Sequence, residues 1–155
     1  MDAMRYVRFQ TDLFFTDMPD EQIGSWFLGG DCCGWFYARL LPLDGIEQNL
    51  HPTMEDWGWV MAVKANGIAV DICVWEHLGR EKSWVLGIAA KKKWLRKTAP
   101  EALQQSQDLV AEAIGGILEA DDRFSQIEWS TENPLEKAPE ARQRWGPNKE
   151  IHANN

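Results

Sequence analysis

Three groups of residues in this chain could do chemistry. Glu55-Asp56 stand beside Trp57, and paired carboxylates can bind a divalent metal or divide acid and base roles. Cys32-Cys33, His51 and His77 supply the residue types of a thiol nucleophile or a metal site. The run from Lys91 to Lys97, KKKWLRK, sets five cations in seven residues, which suits a phosphate, a nucleic acid or an acidic protein.

Spacing limits each of these. Neighbours in a strand point to opposite faces, so Glu55 and Asp56 do not converge unaided. The simpler role is a solubilising strand entry, or Asp56 bonding local backbone N–H groups. The cysteines and histidines meet no ligand-spacing rule, and no CxxC is present. A cysteine at a helix N-terminus can have a lowered pKa, but free cysteine is among the most buried residue types. The simpler role of the basic run is a solvated loop between strand and helix anchored by Trp94 and Leu95, since one basic cluster in an acidic chain is weak evidence of a ligand. Cations just before a helix N-terminus oppose its dipole, so either something else retains them or Thr98 and Pro100 keep them outside the first turn. No GxGxxG, Walker, GxSxG, HExxH or EF-hand pattern occurs. The expectation is no catalytic set, no metal and no cofactor.

The element that must position the carboxylates is the stretch 55–76, EDWGWVMAVKANGIAVDICVWE. Asn66-Gly67 between β-forming runs predicts a two-residue type I′ turn. Counting from that turn puts Ala65 opposite Ile68, Val63 opposite Val70, Met61 opposite Ile72 and Trp59 opposite Val74. That row is wholly apolar and is expected to be buried. The other row holds Lys64 with Ala69, Ala62 with Asp71, Val60 with Cys73 and Gly58 with Trp75. A strand glycine opposite a tryptophan marks where an indole can lie across the backbone. This second face is expected to be open: its simpler role is a partly solvated sheet face, and its sharper one a recognition surface through Glu55, Asp56, Trp57, Asp71 and Trp75.

Around the hairpin, MRYVRF (4–9) reads as a half-exposed strand. Residues 10–30 read as a long loop with apolar anchors. A helix capped by Asp31 follows Gly29-Gly30, buries Cys33, Phe36, Tyr37, Leu40 and Leu41, and stops at Pro42. Residues 46–54 read as a crossover loop. SWVLGIAA (83–90) is apolar on both faces, so this strand belongs away from a bare edge. Thr98-Ala99-Pro100-Glu101 predicts a helix start, with Leu103, Val110, Ile114 and Ile117 as the buried stripe. FSQIEWS (124–130) is the last strand. The predicted order, β-α-β-β-β-α-β, implies an α+β two-layer sandwich with a mostly antiparallel sheet and both helices on one face. A single domain over 1–132 is expected, with a polar tail over 133–155.

Composition narrows the function class. The net charge is −8, and without the five cations of the 91–97 run it would be −13, so charge is segregated. That balance disfavours a general nucleic-acid binder and would steer a basic protein partner. Nine tryptophans exceed ordinary usage and raise the expectation of a binding surface. Three cysteines make no disulfide framework, and no signal-peptide or membrane-length apolar run is present, so a cytoplasmic setting is expected.

PTMEDWGW (52–59) resembles a pattern in small bacterial proteins of unknown function. In these, a strand and a helix precede a P-x-x-EDWGW hairpin, and a tryptophan strand, a basic turn, a helix and a strand ending near I-x-W follow. Here the pieces are RYVRF, GDCCGWFYARLL, EDWGWVMAV, SWVLGI, KKKWLRK and FSQIEW. The resemblance implies an α+β fold and a bacterial origin, and brings no activity with it. Some toxin-immunity proteins are similar in architecture. Three functions follow as expectations. The first is a non-enzymatic protein-binding module, such as a toxin inhibitor or immunity protein. The second is a small-ligand or phosphate-binding regulator using Lys91 and Lys93. The third is an enzyme using Glu55, Asp56 or Cys32, which requires those groups to converge in a pocket.

Overall fold

Asn66 and Gly67 turn the chain with φ of 52° and 76°, both left-handed as a type I′ turn demands. In the computed structural model, which describes residues 4–16, 28–77, 80–91 and 98–137, this turn joins β3 (Gly58–Ala65) to β4 (Ile68–Glu76). Both rows of the hairpin pair as counting from the turn requires, from Ala65 with Ile68 to Trp59 with Val74.

The remaining elements are β1 (Arg5–Gln10), α1 (Gly30–Leu40), β2 (Ile46–Glu55), β5 (Ser83–Ala90), α2 (Pro100–Glu119) and β6 (Ser125–Ser130). The six strands form one antiparallel sheet in the order β2-β3-β4-β5-β1-β6. Both helices bury their apolar residues against one face of it, so the fold is an α+β two-layer sandwich. β5 lies between β4 and β1 with both its faces covered, as its doubly apolar sequence demands.

The main departure from the sequence reading is β2. Residues 46–54 form an edge strand rather than a loop. With solvent on most of both faces, this strand shows no apolar alternation. Its register against β3 shifts between Gln48 and Leu50 and again between Leu50 and Thr53. Such bulges accommodate Pro52, which has no N–H to donate, and they blunt an edge that would otherwise template further pairing.

The caps also differ. α1 begins at Gly30, so Asp31 lies inside the first turn. Its carboxylate accepts from the N–H of Cys32 and of Phe15, both at 2.8 Å, and so ties the preceding loop to the helix. Gly29 and Gly30 carry no Cβ because Trp59 packs there; a Cβ on Gly30 would stand 2.8 Å from its ring. At α2 the cap is Ala99, not Thr98, with Pro100 in the first turn.

The core between sheet and helices is aromatic. Phe14, Trp35, Phe36, Trp84 and Phe124 meet at centroid distances of 4.9 to 6.2 Å. Phe14 thus anchors the 10–30 loop; of that loop, 17–27 lie outside the described residues. The α2 stripe includes two buried polar residues that periodicity does not reveal. Ser106 donates to the carbonyl of Ala65 at 2.8 Å, and the Gln107 side-chain oxygen accepts from the N–H of Ala90 at 3.1 Å. Each satisfies a backbone group where β3 or β5 ends. Ile117 is only partly buried.

The chain does not leave the fold at Glu132. Asn133 and Leu135 are buried, and a 3₁₀ turn spans Pro134–Lys137. The Asn133 side-chain oxygen accepts from the N–H of Leu135 at 3.0 Å, which fixes that turn against the second face of the sheet.

Candidate functional site

The second face carries a small core of its own: Val60, Cys73, Trp75, Val85 and Leu135, flanked by Met4, Tyr6 and Trp57. Trp75 is the centre of it and only 2% exposed. Its indole lies flat over two glycines. A Cβ on Gly58 would come within 3.2 Å of one end of the ring, and a Cβ on Gly87 within 3.0 Å of the other. Gly58 was legible as such a place from the hairpin register; Gly87 depends on β5 lying beside β4.

This placement corrects the reading of Trp75 as an available recognition residue. The face is open at the hairpin tip but roofed in its middle, because Leu135 closes over it after β6. Trp75 therefore acts as the platform for Trp57. The two rings sit 5.6 Å apart between centroids at 43°. Trp57 is half-buried; Glu55, which ends β2, and Asp56, which shares the β2–β3 turn with Trp57, are exposed. The structure thus brings an indole and two carboxylates together at one hairpin tip.

Asp71 lies on the same face, farther along β4. Lys91 reaches it at 3.2 Å, so much of its charge is already answered. Of the basic run only Lys91 is among the described residues; Lys93 lies outside them.

The thiols do not offer a nucleophile. Cys32, Cys33 and Cys73 are free and buried. Burial, then the neighbouring Cys33 and Asp31, pushes the Cys32 thiol well above its ordinary range. Burial pushes Cys33 and Cys73 up to about 12. Among the described residues no three His, Cys, Asp or Glu side chains are grouped to hold a metal ion. His51 is exposed on β2, far in sequence and burial from His77, which is 2% exposed.

Sequence reading missed a second locus on this face. His77, Arg8, Arg80, Glu128 and the 130–134 segment line a cavity of about 290 Å³. Arg8 pairs with Glu128 across β1 and β6. His77 follows Trp75 by two, one residue past the end of β4, but Arg8 joins it only because β1 inserts beside β5.

Compared with protein-family models, curated proteins and solved structures, the chain matches none of them. Among the described residues no helix is long and apolar enough to cross a membrane.

Proposed function

We propose that this chain is a non-enzymatic protein-binding module whose contact surface is the β2–β3 hairpin tip. The observation that carries it is the half-exposed indole of Trp57, seated on buried Trp75 and preceded by exposed Glu55 and Asp56. A rigid aromatic anchor with a charged rim is the usual composition of an interface hot spot. The rim charges and the net charge of −8 select a basic partner and would speed its approach.

A bacterial toxin of basic surface is the partner class that fits this reading, with the chain as its inhibitor or immunity protein. The architectural likeness to immunity proteins noted from the sequence points the same way, by analogy. Three free cysteines suit a cytoplasmic, reducing setting.

The test is the association rate with the protein encoded by the neighbouring reading frame, measured against salt concentration. Reversing the rim charges with Glu55→Lys and Asp56→Lys should slow association about tenfold at low salt and flatten its salt dependence. An unchanged rate and slope would remove the hairpin tip as the contact surface.

A further inference from the structure

His77 is as buried as any core side chain, yet neither ring nitrogen meets a hydrogen-bond partner among the described residues. Buried polar atoms in folded proteins are almost always satisfied, so an exception calls for a ligand or a solvent partner. The ring lines the 290 Å³ cavity together with Arg8, Arg80, Glu128, Ser130 and Glu132. A water molecule occupies about 30 Å³ of liquid, so this space admits a small organic or inorganic group.

Most polar groups of the lining are already committed. Arg8 is paired with Glu128. The Ser130 hydroxyl donates to the Glu132 carbonyl and accepts from the Glu132 N–H. Arg80 makes no ion pair among the described residues. What remains facing the cavity is one guanidinium and one imidazole.

We infer that this cavity is a binding site for a small oxyanion, a carboxylate or a phosphate, held by Arg80 and the imidazole of His77 and backed by the Arg8–Glu128 pair. A guanidinium presents paired donors that match either group, and the imidazole supplies a further N–H. Glu128 and Glu132 limit the site to a compact anion, because a larger one would meet their charge.

The site carries a built-in proton linkage. Burial first, then the charges of Arg8 and Arg80, pushes His77 down to about 4, so the empty site holds a neutral ring. An anion seated between His77 and the arginines reverses that electrostatic balance and favours the imidazolium. Binding therefore takes up a proton in the acid range where the ring titrates, and affinity rises as pH falls through that range. The carboxylates of Glu128 and Glu132 also line the cavity and oppose anion binding by repulsion. The site lies on the same face as Trp57 but displaced toward β6, so it stands independently of the proposed partner surface.

The test follows the ring signals of His77 by NMR in the full chain, titrated separately with inorganic phosphate and with acetate at constant ionic strength. The expected result is a saturable shift of those signals and a His77 pKa raised by about one when the site is filled. Saturation by phosphate alone assigns a phosphate group, by acetate alone a carboxylate, and by both the shared oxyanion chemistry. Arg80→Gln, at an exposed position that leaves the core untouched, should weaken binding at least about fivefold. No saturable shift with either anion up to about 50 mM, or equal affinity in Arg80→Gln, would overturn the assignment.

Discussion

Trp57 rests on Trp75 with ring centroids 5.6 Å apart, one indole half-exposed and the other buried. The pair divides one face of the sheet into a foundation and a contact point, and the two residues should respond differently to truncation. Trp75→Ala should destabilise the fold by about 3–5 kcal/mol, as removal of a buried aromatic does. Trp57→Ala should lose about 1 kcal/mol, because part of its ring already faces water. Urea denaturation of the two variants separates these outcomes; equal losses would mean that Trp57 is as structural as Trp75.

Gly58 tests how closely the Trp75 indole lies on the sheet. A Cβ there would stand 2.9 Å from the backbone oxygen of Val74, which cannot move aside as a flexible side chain would. Gly58→Ala should therefore destabilise by about 1–3 kcal/mol in the same urea experiment. Gly116, where a Cβ would meet open space within α2, provides the contrast. There Gly→Ala should stabilise by up to about 1 kcal/mol.

The polar pair in the α2 stripe should behave as strand-end caps. Ser106→Ala leaves the Ala65 carbonyl without that donor and should cost about 1 kcal/mol. Gln107→Leu keeps the volume but orphans the N–H of Ala90, and should cost about 1–3 kcal/mol. Faster amide exchange at Ala90 in the Gln107 variant would locate the effect.

Stability should fall between about pH 6.5 and pH 4 through His77. Its folded pKa is depressed from the ordinary 6.5 to about 4, so in that window the unfolded chain takes up a proton that the folded chain refuses. The contribution is complete above pH 6.5 and is lost as pH falls toward 4. Its size is on the order of 1–3 kcal/mol. Asp121, held down to about 2 by Arg123, loses its share only below about pH 4, outside this window. Urea midpoints at pH 7.5 and pH 4.5 measure the slope, and His77→Gln should flatten it.

Much of this architecture is legible in the sequence because it is written locally. Asn66-Gly67 sets the turn, the turn sets the register, and the register sorts Met61 and Val63 from Val60 and Asp71. The doubly apolar SWVLGIAA announces an interior strand without any partner being known. What is not legible depends on distant pairing. β2 has no alternation to reveal it, since its only strong constraint is the backbone of β3. Trp75 has the sequence look of an exposed recognition residue; a leucine sixty positions later, Leu135, covers it. His77, Arg8 and Arg80 meet only after β1 has inserted between β5 and β6.

The proposed function stands on the exposed ring of Trp57, and calorimetric titration tests it most directly. The chain and its Trp57→Ala variant would each be titrated with the protein encoded by the neighbouring reading frame. The hot-spot reading predicts tight binding by the parent and an affinity at least about 30-fold weaker in the variant, a loss of roughly 2 kcal/mol, with unchanged urea midpoints apart from the small shift given above. Equal affinities in parent and variant would contradict it, as would no binding by the parent.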